Sequence, residues 1–138
     1  MALAVGAQIE VEFTPLYEGQ PLFEDVLAFM RQAGFELFDI RCGNWKRSIY
    51  FDYPGKGQCV YGDTLFLKRI DVFTELLRTQ KDDAHCRGLV AKAVLSCFVY
   101  GIFDYASAIV EEASSKGKLS SIDRKAFMDI IRQTSRSS

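Results

Sequence analysis

Two acidic side chains near the N-terminus alternate with apolar ones in the segment "IEVEF", residues 9–13. On a β-strand, Glu10 and Glu12 lie on one face and the apolar residues between them lie on the other. Neighbouring carboxylates can supply a general base that takes a proton from a hydroxyl group. Glu12, nearer the end of the predicted strand, is therefore a candidate catalytic residue. The alternative is that both carboxylates pair with Arg or Lys, which we favour for Glu10 and keep open for Glu12.

A polar turn, "YEGQP" at residues 17–21, follows this strand. Tyr17, Glu18 and Gln20 are candidate substrate-binding residues, because loops that leave a strand commonly carry the side chains that contact a ligand. The alternative is turn chemistry alone, in which Gly19 allows the bend and Pro21 starts a helix.

A second group of candidates is the segment "WKR", formed by Trp45, Lys46 and Arg47. An aromatic ring beside two cations can hold a sugar or a phosphate-bearing molecule. The alternative for Trp45 is that it covers the core. All three are candidate substrate-binding residues.

Cysteine and histidine chemistry is not indicated. The four cysteines, at positions 42, 59, 86 and 97, form no C-x-x-C pair, and His85 is the single histidine, so no zinc site is expected. His85 and Cys86 are adjacent, and adjacent residues on a helix point about 100° apart, so they do not form a nucleophile and its base. We expect free, mostly buried thiols in a reducing cytoplasm.

The bulk composition excludes other classes. The chain has 138 residues and a net charge of −1, so it has no basic field for nucleic acid, and its scattered Lys and Arg do not favour a membrane surface. Residues 89–110 are apolar but contain Lys92 and Asp104. Each charge costs about 2.5–3.5 kcal/mol at bilayer depth, so the segment is predicted to be a core helix.

Hydrophobic periodicity and turn residues predict the elements that position these candidates. A strand over Ile9–Tyr17, a helix from Leu22 ended by Gly34, and a strand over 35–41 would form a parallel crossover pair, with the second strand buried on both faces. After a loop over 42–57, a third strand over 58–69 is expected to run antiparallel to the second.

The second half is predicted to be helical. A short helix spans 70–77, and a long one, capped by Asp82 or Asp83, runs to about Ser115. Gly101 bends or breaks this long helix or allows a close helix crossing. After a loop, Ser120 caps a last helix over 121–133, and the tail from Thr134 frays.

Residues 9–41, "IEVEFTPLYEGQPLFEDVLAFMRQAGFELFDIR", resemble the C-terminal half of FkbM-type, S-adenosylmethionine-dependent methyltransferases. In that family a strand ending in Glu-x-Glu-Phe leads into a Tyr–Gly–Gln–Pro turn, a helix and a "GF-L-D" stretch. The resemblance continues through "WKR", "GDTLFLKR" and "AKAVLSCFVYGIFDYASAIVEE", and so covers Ile9 to about Glu112.

The resemblance implies an α/β fold, α+β as a fragment: residues 1–69 form a partial Rossmann-like βαββ unit, and residues 70–138 form a helical extension packed on it in one compact domain. It implies an acceptor-side role in methyl transfer to a hydroxyl group, often of a sugar or polyketide-like acceptor. Either a fragment of a longer enzyme or a small free-standing descendant would have this pattern.

The cofactor-binding features of the family are not found in this sequence. The glycine-rich turn after a first strand and the acidic residue after a second are missing, and Gly55 and Gly57 do not stand between a strand and a helix. We therefore expect no cofactor in this chain, with S-adenosylmethionine bound only if a missing half is supplied, and no metal.

A half-sheet leaves the predicted strand Ile9–Tyr17 as an unpaired edge, and exposed edges invite pairing. A homo-oligomer or a partner chain along this strand is therefore expected. The alternative function is a non-enzymatic assembly or small-molecule-binding module that dimerises through this edge.

Overall fold

A computed structural model describes residues 4–137, apart from the side chain of Tyr50. In this range the chain is mixed α+β, with a three-stranded antiparallel sheet and five α-helices. The elements in chain order are β1 (Gly6–Glu12), α1 (Phe23–Gln32), β2 (Phe35–Trp45), a 3₁₀ helix (Ser48–Tyr50), β3 (Gln58–Lys68), α2 (Ile70–Arg78), α3 (Asp83–Tyr100), α4 (Phe103–Ser115) and α5 (Ser121–Ser135).

The chain divides into two compact units. One is Ala7–Leu67, and the other contains residues 4–6 and 68–137 of the described chain. The first holds the sheet, apart from its terminal residues Gly6 and Lys68, together with α1. The second holds helices α2 to α5. The packing of the helical part on the βαββ part stays a prediction.

The strand order in the sheet is β1-β3-β2. The Phe13 N–H donates to the Val60 carbonyl at 2.8 Å, and the Lys68 N–H donates to the Val5 carbonyl at 2.9 Å, which sets β1 antiparallel to β3. The antiparallel run of β3 beside β2 is confirmed. β1 and β2 thus run in the same direction, but the predicted pairing between them is wrong because β3 lies between them.

Burial follows this order. The prediction that the second strand is buried on both faces is wrong, since Phe35 is its single buried residue. The most buried strand is β3, in which residues 64–68 are all buried. A central strand has a neighbour on each side, whereas β2 has one neighbour in the sheet.

Two strand boundaries also differ from the prediction. β1 ends at Glu12 rather than Tyr17, and residues 13–22 form a loop. Pro15 has no N–H for a ladder, and Gly19 has a φ of +75°, which an extended strand does not allow. β2 continues past Arg41 to Trp45.

Helix α1 lies against one face of the sheet. The ring of Phe23 packs at 5.3 Å from that of Phe13, and Met30 is fully buried. Gly34 follows the helix with a φ of +83°, and its N–H donates to the Arg31 carbonyl at 3.1 Å. The predicted glycine stop is therefore confirmed.

In the second unit, the predicted long helix is two helices. Gly101 has a φ of +70° and separates α3 from α4, and the Ile102 N–H donates to the Cys97 carbonyl at 2.9 Å in the manner of a glycine C-cap. The Asp82 cap of α3 and the Ser120 cap of α5 are confirmed. Helix α5 runs to Ser135, so Thr134 and Ser135, which were predicted to fray, are helical. In residues 4–137, no helix combines the length and apolar character needed to cross a bilayer.

Candidate functional site

The candidate residues cluster at one edge of the sheet. Because β1 and β2 run in the same direction, their carboxyl ends at Glu12 and Trp45 lie at the same edge, where β3 begins. The loops over 13–22 and 46–57 leave from this edge. Gln58 Nε2, at the start of β3, donates to Thr14 Oγ1 of the first loop at 3.3 Å. We call Glu12, Trp45 and these two loops the carboxyl rim. Ligands of open α/β sheets bind outside the carboxyl ends of strands.

Glu12 stands in a row of side chains that crosses the three strands. In the register of β1 with β3, Phe13 faces Val60, so Glu12 faces Tyr61 on the opposite surface of the sheet from α1. The rings of Tyr61 and Trp45 pack edge to face, with their centroids 6.3 Å apart. The row Glu12–Tyr61–Trp45 therefore joins two predicted residues through Tyr61, which the sequence analysis did not single out.

Glu10 lies one step back along the same face of β1, where the register sets it opposite Asp63. Both are exposed, and neither forms an ion pair with Lys or Arg within residues 4–137. The expected pairing of Glu10 is therefore not formed in this range. The described residues also contain no group of three His, Cys, Asp or Glu that could hold a metal ion.

The loop after β1 divides its predicted residues into two roles. Gln20 Oε1 accepts the Leu16 N–H at 2.8 Å, so Gln20 closes the turn around Gly19. Tyr17 is 63% exposed and Glu18 is exposed, so both are available to a ligand. The turn interpretation thus accounts for Gly19 and Gln20.

The loop after β2 folds around its first lysine. Lys46 Nζ donates to the Tyr53 carbonyl at 2.6 Å and to the Phe51 carbonyl at 3.5 Å. A cavity of about 160 Å³ opens beside it. Its lining consists of Lys46, Arg47, Tyr53, Pro54, Lys56 and Gly57. Lys56 and Tyr53 were not predicted, although Lys56 belongs to the same run of basic and aromatic residues in the sequence.

Exposed apolar side chains are concentrated on the rim. Trp45 is 54% exposed, which does not fit the alternative in which it covers the core. Contiguous apolar groups on a surface commonly mark a binding site. The other exposed apolar residues of the rim are Leu16, Tyr17, Ile49, Phe51 and Tyr53.

Three of the thiols, those of Cys59, Cys86 and Cys97, have raised pKa values and are therefore not poised as nucleophiles. A hydrogen bond with Cys42, together with burial, raises the pKa of the Cys59 thiol. Burial raises the pKa of Cys86, and it raises that of Cys97 to about 12. Cys86 and Cys97 are buried as expected, whereas Cys42 is exposed. His85 Nδ1 lies 2.7 Å from Asp82 Oδ2, so the histidine belongs to the cap of α3.

The implied methyl donor contains a nucleoside, for which the family uses a glycine-rich turn, and residues 4–137 contain no such turn between a strand and a helix. The glycine-rich turn that holds such a group follows a strand and opens a helix. Gly55 and Gly57 lead into β3 instead, and the loop between β1 and α1 contains one glycine, Gly19.

Comparisons with family models, with curated proteins and with solved structures found no match for this chain. The resemblance to FkbM-type methyltransferases therefore stays a prediction from the residues quoted above.

Proposed function

We propose that this chain is the acceptor-side part of an FkbM-like O-methyltransferase and does not transfer a methyl group by itself. The observation that carries the proposal is the carboxyl rim, where Glu12, Tyr61 and Trp45 cross the sheet beside exposed apolar side chains. A hydroxyl-bearing acceptor would lie over this row. The methyl donor would be held by a cofactor-binding half that lies outside these 138 residues.

The element order supports this assignment. A strand, a helix, a second strand and an antiparallel third strand follow one another, as the resemblance implies for the end of a methyltransferase sheet. β1 forms one edge of the sheet. In its register with β3, the backbone N–H and C=O groups of Glu10 and Glu12 point away from β3, so a further strand can pair with them.

The proposed chemistry assigns Glu12 the role of general base. A carboxylate within hydrogen-bond reach of the acceptor hydroxyl takes its proton and leaves the oxygen more nucleophilic. Tyr17 and Glu18 extend the binding surface on one side and Trp45, Lys46 and Arg47 on the other. Most of the catalytic effect would then come from holding the acceptor in place.

The first test is a calorimetric titration of the 138-residue chain with S-adenosylhomocysteine. We expect no heat of binding from folded protein, because the described residues have no glycine-rich turn between a strand and a helix. Binding with micromolar affinity would contradict the proposal that the cofactor site lies outside these 138 residues.

The second candidate function is a non-enzymatic module that assembles through β1, and the outward backbone groups of Glu10 and Glu12 favour it. Sedimentation velocity on wild type, Glu10→Pro and Glu10→Thr tests it. If β1 pairs two copies, Glu10→Pro is expected to be monomeric because it removes an outward N–H, while Glu10→Thr keeps that N–H and stays dimeric. A monomeric wild-type chain would exclude this function.

A further inference from the structure

We propose that the cavity in the loop over 46–57 binds a phosphate group of the acceptor. The inference rests on the proposed function for the position of the acceptor at the carboxyl rim, and it adds the chemical class of that acceptor. Residues of a single loop line the cavity, so the site does not depend on another element.

The charge of the loop favours an anion. Lys46, Arg47 and Lys56 line the cavity, whereas Asp52, the single acidic residue of this loop, does not. This local excess of positive charge stands out on a chain whose net charge is −1. Neither Arg47 nor Lys56 forms an ion pair within residues 4–137, so both cations are available.

The hydrogen-bond donors suit phosphate. An ammonium group has three N–H donors, and Lys46 uses two of them on the carbonyls of Phe51 and Tyr53, which leaves one for a ligand. The guanidinium of Arg47 can donate two parallel hydrogen bonds to phosphate oxygens. The loop therefore holds Lys46 in place, and Lys46 adds positive charge to the cavity.

The size of the cavity suits one group rather than a whole ligand. Pockets that enclose drug-sized ligands measure roughly 300–1,000 Å³. This cavity measures about 160 Å³, well above the roughly 15 Å³ that one water needs. The remainder of the acceptor would lie outside it, against exposed aromatic rings such as Phe51 and Tyr53.

The test is a titration with phenyl phosphate at constant ionic strength, followed by amide chemical shifts. We expect saturable shifts confined to residues 45–58. The double variant Arg47→Gln/Lys56→Gln is expected to weaken binding about tenfold or more, because charge-assisted hydrogen bonds to phosphate are lost. The matched control Arg31→Gln/Lys125→Gln removes the same charge from exposed helical positions and is expected to bind as wild type does.

A second arm distinguishes a soluble phosphate from a lipid headgroup. Sedimentation with phosphatidylcholine vesicles, with and without phosphatidic acid, is compared for wild type and the double variant. If the double variant loses binding of phenyl phosphate, the cavity binds the phosphate group of a soluble molecule. If that variant loses binding of phosphatidic acid vesicles, the cavity binds the phosphate group of a lipid.

Equal binding by wild type and the double variant, or no binding in either arm, would overturn the proposal. These outcomes are independent of the titration with S-adenosylhomocysteine. If phosphate does not bind, the acceptor-side assignment is unaffected. If S-adenosylhomocysteine binds, the phosphate site is unaffected.

Discussion

Phe66→Ala is expected to lower the free energy of unfolding by about 3–5 kcal/mol, the usual cost of truncating a buried phenylalanine. Phe66 is fully buried on the central strand β3, between Leu65 and Leu67, which are also buried. Truncation would remove its buried apolar surface and leave a cavity that the flanking strands cannot fill by moving. Since small domains are stable by about 5–15 kcal/mol, this loss is a large part of the total.

Urea unfolding followed by circular dichroism measures this difference. The matched control is Phe51→Ala, the same substitution at a side chain that is 70% exposed on the loop over 46–57. Its effect is expected to stay within about 0.5 kcal/mol. Similar losses in the two variants would show that β3 is not the centre of the sheet.

Gly57→Ala is expected to lower the free energy of unfolding by about 1–3 kcal/mol. The same substitution at Gly88 is expected to raise it. A Cβ at position 57 would overlap the carbonyl of Trp45 and the N of Lys46. Backbone atoms cannot turn aside as a flexible side chain can, so the loop between β2 and β3 would have to open. The rise in stability that usually follows Gly→Ala is therefore lost here.

The control is Gly88→Ala in the interior of α3, where a Cβ would meet nothing within 4 Å. This variant is expected to gain about 0.5–1 kcal/mol, because alanine has less backbone entropy to lose on forming a helix. Thermal unfolding of both variants tests whether Gly57→Ala lowers the free energy of unfolding and Gly88→Ala raises it. A neutral Gly57→Ala would contradict the close approach of the two strands at Trp45.

The two stability experiments also bear on the site. Phe66 belongs to the core beneath the sheet, and Gly57 belongs to the loop that forms the phosphate cavity. If Gly57→Ala opens that loop, the loss in free energy of phenyl phosphate binding should exceed the loss in free energy of unfolding. Phe51→Ala leaves the cavity lining intact, so binding by this variant reports on the aromatic contact alone.

Several elements follow from short-range rules in the sequence. Gly34 and Gly101 each end a helix in the left-handed conformation that favours glycine, and Ser120 caps α5 through its hydroxyl. The third strand and the helix after it were also predicted close to their observed bounds, Gln58–Lys68 and Ile70–Arg78. Such features depend on a few neighbouring residues, so local patterns predict them.

Strand pairing depends on distant residues, so local sequence patterns predict it less accurately. A strand–helix–strand pattern predicts a parallel pair, yet β3 enters between β1 and β2 and takes the buried central position. The apolar runs of β2 and β3 are similar in the sequence. Their burial differs because one has a neighbour on each side in the sheet and the other has one.

The candidate site shows the same division. By itself, the sequence determined that polar and aromatic residues follow the first two strands, since strand ends and turn residues are local features. The tertiary structure alone decided that these loops share one edge, that Tyr61 stands between Glu12 and Trp45, and that Lys56 faces the cavity with Arg47. The physical reason is the register of β3, which is set by backbone hydrogen bonds between residues far apart in the chain.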